Sequence, residues 1–314
     1  MLTGHAHYNM ISYGCRQKLI LKCMIHFVLK SISQHPISYR ANVLAEYLHL
    51  DKTTCSRENT FRTILDRFSK LDDVRKAIEA TGVRECGIIF GIDYSKSNET
   101  QGAKTFQGQC LHAVKGKHNP YKEVICILGE CIEELDDDGF IPVYGFGASG
   151  CDLFPLDKEK ECKGFTEVLD AYERATSDVA LGGATSMAPL IDKAVDIVKN
   201  TNKYHILVIC STGQLTCEKE TVVAIVAASS YPLSIIVMGV GDGPWERMRH
   251  FDDQLPQRKF DNFQFVDFHC IKDTSRNPQA AVALAALMEI PDQYQYIRDL
   301  KLLEKMSKKS EGRN

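Results

Sequence analysis

The sequence predicts an α/β fold, a doubly wound and mostly parallel sheet with helices on both faces. Three observations point there. Residues 87–92, 205–210 and 233–240 are near-continuous apolar runs of strand length, the pattern of strands buried on both sides. Segments with apolar steps of three and four residues alternate with these runs. The first run ends abruptly in an acid and alternating hydroxyls, Asp93, Ser95 and Ser97, as expected where a buried parallel strand delivers polar groups to the carboxyl edge of its sheet.

The elements follow in order. Residues 60–80 place Phe61, Ile64, Leu65, Phe68, Leu71, Val74 and Ile78 at helical spacing, as one helix or two short ones packed on the sheet. The opening strand over 87–93 comes next, and the polar, glycine-bearing stretch 98–118 reads as a long loop. Asn119 and Pro120 supply an N-cap and a first-turn proline for a helix over 121–135, with Val124, Ile125, Ile127, Leu128 and Ile132 turned to the sheet. A strand over 141–146, a helix over 165–176, a glycine loop over 181–186 and a helix over 187–199 follow; taken alone, Thr185 reads as an N-cap. The strand 205–210, helix 221–230, strand 233–240, short helix 245–251, strand 263–268 and a helix 279–288 behind Asn277 and Pro278 complete the alternation. Residues 56–294 thus form the domain, 1–55 an N-terminal extension and 295–314 a basic tail.

Composition narrows the function classes. At 314 residues and 44% hydrophobic content the chain can bury a large core. Its net charge is −3, yet residues 1–45 carry Arg16, Lys18, Lys22, Lys30 and Arg40 without an acid, leaving −8 on the remainder; no general nucleic-acid surface is indicated. The twelve cysteines include no C-x-x-C pair and several sit in apolar runs. That pattern implies reduced thiols in an intracellular protein, cytoplasmic or nuclear, and argues against a disulfide framework or a zinc module. No segment approaches the roughly 20 apolar residues that span a bilayer. The nearest, 19–29, is short, broken by Lys22, and reads as an amphipathic helix or an extension before a targeting segment. His5, His7, His26 and His35 are too irregularly spaced for a metal site.

Asp93, Ser95 and Ser97 can turn three oxygens toward one point, and carboxylate, hydroxyl and water are what a hard cation such as Mg²⁺ accepts. The competing reading is a turn capped by Asp93 and solvated by the two serines. The glycine loop before residue 187 lets the backbone approach an ion, and Thr185 adds a hydroxyl there. Gly145, Gly147 and Gly150 imitate a dinucleotide fingerprint, but Cys151, Asp152, Leu153, Phe154 and Pro155 follow instead of the required helix. Residues 239–244 resemble a phosphate loop, for which turn geometry is the better account. The chain carries no G-x-x-x-x-G-K-[ST], H-E-x-x-H or G-x-S-x-G string, so its motifs give no support to an NTPase, a zinc protease or an α/β-hydrolase.

The D-x-S-x-S ending of the first strand, the threonine in a glycine loop and the predicted sheet together resemble the von Willebrand factor A domain. The strings 91–98, 119–121, 141–147, 231–235, 240–245 and 260–266 resemble its copine type, found in copines and in plant RING-domain ubiquitin ligases. The resemblance implies a metal-ion-dependent adhesion site in which Asp93, Ser95, Ser97 and Thr185 hold Mg²⁺ or Mn²⁺ and a partner protein completes the shell with an acid. It implies a non-enzymatic intracellular adaptor; ubiquitin transfer, as a substrate-recruiting relative, and calcium-responsive membrane association are the alternatives. Two departures temper it. Thr212 stands where the family has an aspartate, which removes a charge and weakens the metal site. The 55 leading residues are too few for the C2 domains of copines, and residues 293–314 contain no cysteine for a RING; direct membrane binding is left only the basic stretches 16–30 and 301–309.

Overall fold

The computed structural model describes residues 42–48, 64, 67–113, 119–183, 185–253, 255 and 258–311. Nearly all of the expected extension, including its histidines and the 19–29 stretch, and most of 60–70 lie outside the described residues.

Six strands form one sheet: β1 (Cys86–Asp93), β3 (Val143–Ala148), β4 (Cys151–Pro155), β6 (Tyr204–Ser211), β7 (Leu233–Gly239) and β8 (Phe263–Asp267). Their order is β4-β3-β1-β6-β7-β8, with β2 (Phe140–Ile141) and β5 (Cys162–Lys163) paired separately. All pairings in the large sheet are parallel except β3 with β4. β1 and β6 are buried at every position, which explains their near-continuous apolar runs.

The helices divide between the faces. Alternate residues of β1 belong to different cores, Ile88, Phe90 and Ile92 to one and Ile89 to the other. The first core takes α2 (Leu71–Ala80), α3 (Pro120–Ile132), α4 (Gly164–Asp178) and α9 (Pro278–Leu287), through residues such as Ile78, Val124, Phe165 and Leu284. The second takes α5 (Ala188–Thr201), α6 (Glu218–Ala228) and α7 (Glu246–Asp253), through Leu190, Ile225 and Phe251. α5 lies so close to β1 that a Cβ on Gly91 would meet Leu190 Cδ2. The short α1 (Asn42–Tyr47) and α8 (Phe268–Thr274) and the final pair α10 (Ile290–Asp299) and α11 (Leu302–Glu311) complete the described chain. No helix among the described residues is long and apolar enough to cross a membrane.

Two expectations change, and one stretch left without an element gains one. The stretch after the glycine string is an antiparallel edge strand, β4, reached through a tight turn in which Gly150 adopts φ of 74°, as Gly147 does near the end of β3. Residue 294 lies inside α10, and Ile297 and Leu302 beyond it are buried, so the packed unit continues into the expected tail. The helix after the second glycine loop starts at Ala188, where the Ser186 hydroxyl accepts the Ala188 N–H at 3.2 Å, so Thr185 is not its N-cap. By contrast Asn119 caps α3 as expected, its side chain accepting from Lys122 N at 2.9 Å with Pro120 in the first turn.

Candidate functional site

The chain leaves β1 toward β3 and leaves β6 toward β7, so the order of strands reverses between β1 and β6. α3, the first long helix after β1, covers one face, and α6, which follows β6, covers the other, so the carboxyl ends of these two strands form a topological switch point. Asp93 ends β1 there, and Ser211 ends β6.

The Asp93 carboxylate is fully buried and accepts four hydrogen bonds. Oδ1 accepts the Ser95 N–H at 2.8 Å, the turn-capping bond that the competing reading expects. Oδ2 accepts the Ser211 hydroxyl at 2.7 Å, Thr212 N at 3.1 Å and the Thr212 hydroxyl at 3.2 Å. From Thr212 the hydroxyls continue as a chain, Thr212 Oγ1 to Ser97 Oγ at 2.7 Å and Ser97 Oγ to Ser95 Oγ at 2.7 Å. Asp93, Ser95, Ser97 and Thr212 are therefore brought to one place. Thr185 is on the adjoining loop, buried, and held by Thr216: its N–H donates to Thr216 Oγ1 at 2.8 Å, and its carbonyl accepts Thr216 N at 3.0 Å. Among the described residues no hydrogen bond joins the Thr185 hydroxyl to the side chains of Asp93, Ser95, Ser97 or Thr212. The loop is seated by Gly182, whose N–H donates to Tyr94 O at 3.0 Å and whose carbonyl accepts Lys96 N at 2.6 Å. A Cβ at Gly182 would strike the main chain of Gly147 and Ala148, so only glycine fits.

The donor set is all oxygen and hard, with one carboxylate, and such a set can accept a small divalent cation weakly. Ser211 was not foreseen; its only signal was its position at the strand end beside Thr212. Nor were Asn98, His112 and Tyr121, whose side chains all reach the Asp93 main-chain carbonyl. Burial lowers the His112 imidazole to about 4, outweighing its hydrogen bond to that carbonyl, and the ring is neutral.

A second acidic group lies at the opposite, amino edge. The carboxylates of Asp136, Asp137 and Asp138 come within 4.8 Å of one another, and Lys203 pairs with Asp137 at 2.6 Å and Asp138 at 3.6 Å. The lysine and the exposure of Asp137 and Asp138 account for this cluster without a cation. Burial, then the charges of Asp138 and Asp137, push the Asp136 carboxyl up to about 7. A raised folded-state value means that the native state prefers the protonated acid, so the penalty is absent below about pH 4, builds as pH rises, and is complete above 7. Asp136→Asn is expected to stabilise the chain by roughly 1 kcal/mol at pH 8, allowing for solvent screening, and by nothing at pH 4. Urea unfolding at the two pH values checks this; equal midpoint shifts would contradict the assignment.

Comparison with known proteins places these features in a family. The copine family model matches residues 110–306. The chain is 49% identical over 248 residues to copine family protein 2 of Caenorhabditis elegans, covering 76% of this chain and 3% of that protein. It is 46% identical over 281 residues to the E3 ubiquitin-protein ligase RGLG4 of Arabidopsis thaliana, covering 83% and 70% respectively. Among solved structures it is similar to the SpRpn10 VWA domain, with a TM-score of 0.42 and 12% identity over 58% of this chain and 87% of that one. It is also similar to manganese-loaded Plasmodium vivax TRAP protein, with a TM-score of 0.40 and 13% identity over 59% and 69%.

Proposed function

The chain belongs to the copine family, and on that premise we propose that it is a non-enzymatic protein-interaction module whose capture point is the oxygen cluster between β1 and β6. The observation that carries this reading is the convergence of Asp93, Ser95, Ser97 and Thr212 at the carboxyl ends of β1 and β6. Asp93, Ser95 and Ser97, with Thr185 from the adjoining loop, would hold Mg²⁺ or Mn²⁺ directly or through water, and Thr212 contributes a hydroxyl where a carboxylate would add charge. The bound cation supplies a positive centre that a partner's Asp or Glu can reach. Within the chain, Ser211 and the Thr212 N–H hold the Asp93 carboxylate through Oδ2. With a single carboxylate the site is weak alone and gains from the partner's acid.

Calorimetric titration of Mg²⁺, Mn²⁺ and Ca²⁺ into the full chain tests this. Mn²⁺ is expected to bind with roughly millimolar affinity, the weak end of oxygen-ligand sites, and a glutamate-bearing peptide should tighten it. No heat with any ion, with peptide binding equal in EDTA and in Mn²⁺, would remove the proposal.

The identity to RGLG4 over 70% of that ligase favours a second reading, in which the same edge recruits substrates for ubiquitin transfer. Copine family protein 2 is far longer, the chain spanning 3% of it, so activities of whole relatives do not pass to this chain directly. Faster discharge of ubiquitin from a charged conjugating enzyme on adding the chain would favour this second reading.

A further inference from the structure

The Asp93 main-chain carbonyl, like its carboxylate, is met by several side chains. Side chains take that carbonyl: His112 Nε2 at 2.8 Å, Asn98 Nδ2 at 2.9 Å and Tyr121 OH at 3.1 Å. A carbonyl oxygen has two lone pairs, which the imidazole and the amide fill. The phenol has one proton and a shorter partner, Asn98 Oδ1 at 2.6 Å. Tyr121 thereby orients the Asn98 amide, leaving its NH₂ group for Asp93 O and Ser95 O, both at 2.9 Å.

His112 is held in the same manner. Its Nδ1 is 2.9 Å from Tyr172 OH, which also lies 3.0 Å from Asn119 Nδ2. One proton arrangement satisfies every group: Asn119 donates to the Tyr172 oxygen, the Tyr172 hydroxyl donates to Nδ1, and Nε2–H donates to Asp93 O. The imidazole is sandwiched between Tyr94, at 4.7 Å and 11°, and Tyr121, at 4.2 Å and 19°. Asn98, His112, Asn119, Tyr121 and Tyr172 are all buried. A buried polar network rigidifies what it touches when all members are satisfied, as these are.

Resting on the reading of the cluster as a divalent-cation site, we propose that His112 and Asn98 are positioning residues for it, each clamping the Asp93 carbonyl and each oriented by a buried tyrosine. The clamp sets the peptide planes of residues 93–98, and so the directions in which the Asp93, Ser95 and Ser97 side chains leave the backbone. Through Asn119, which also caps α3, the clamp is continuous with the helix behind the site.

The test uses the full chain. His112→Phe keeps the stacked ring and deletes both nitrogen bonds; its Mn²⁺ affinity is expected to fall about tenfold, and amide exchange over 93–98 to accelerate in metal-free protein. Tyr172→Phe, which touches no cluster oxygen, should give a smaller loss of the same kind by releasing Nδ1. Ile225→Val in α6 serves as a packing control on the other face, expected to leave both readouts at wild-type values. Should His112→Phe not fold, Tyr121→Phe carries the same expectation through Asn98. Variants with unchanged affinity and unchanged 93–98 exchange, or a control that shifts as much as they do, would overturn the clamp. A wild type that binds no Mn²⁺ defeats the metal reading alone, because the metal-free exchange comparison still decides the positioning role.

Discussion

Asp93→Asn is expected to abolish Mn²⁺ binding, a loss of more than about a hundredfold, while leaving a folded chain. The substitution removes the one carboxylate of the cluster and with it the charge that attracts a dication. Its structural cost is bounded by the hydrogen bonds. The amide oxygen can keep one of the two roles of the carboxylate, but the NH₂ group must face donors in the other. The Ser211 hydroxyl can turn to accept; the Thr212 N–H, 3.1 Å from Oδ2, cannot. One unpaired buried donor costs about 1–3 kcal/mol. Asp93→Ala would strand every donor at both oxygens and confuse loss of function with loss of fold. Thermal unfolding with and without Mn²⁺ separates the two. Wild type should gain about 1.4 kcal/mol at ten times its dissociation constant, and the variant nothing. An equal metal-induced rise in both would show that ions bind elsewhere.

The central strands were legible because burial on both faces leaves no alternation to misread; apart from His205, β1 and β6 carry no polar side chain until Asp93 and Ser211. The cap at Asn119 and Pro120 was legible because it is local chemistry. β4 was not. As a short edge strand most of its residues are exposed or half-exposed, so Cys151–Pro155 shows neither an apolar run nor a clear alternation. The final helices were masked by charge, since buried Ile297 and Leu302 are spaced among Arg298, Asp299, Lys301 and Glu304. In the site, Asp93, Ser95 and Ser97 were readable as a motif within five residues. The support beneath them was not, because His112, Tyr121 and Ser211 stand 19, 28 and 118 residues from Asp93 and meet it only through the fold. Thr185 was readable as a hydroxyl in a glycine loop, but its backbone ties to Thr216 could not be inferred from spacing.

Thr212→Asp is expected to reverse the weakness of the cluster and tighten Mn²⁺ by about tenfold to a hundredfold, since charge count sets the affinity of oxygen sites. Thr212 is fully buried, 2.7 Å from the Ser97 hydroxyl and 3.2 Å from Asp93 Oδ2, so a carboxylate placed there falls beside the first. Two such carboxylates cannot both ionise without a cation, and the pair must retain a proton well above the usual carboxylate range. That raised value carries a sign. Metal-free variant should lose stability as pH climbs from about 4, where the unfolded chain ionises, through the raised value of the pair. Added Mn²⁺ turns the repulsion into ligation and should restore the unfolding midpoint above that of metal-saturated wild type. On the proposed reading the hydroxyl in the natural chain makes the opposite compromise: the metal-free cluster is closed by its own hydrogen bonds, and a cation there would be held more weakly. Equal Mn²⁺ affinity in variant and wild type, with no pH-dependent destabilisation of the metal-free variant, would mean that position 212 does not face the ion and that the cluster is a structural turn.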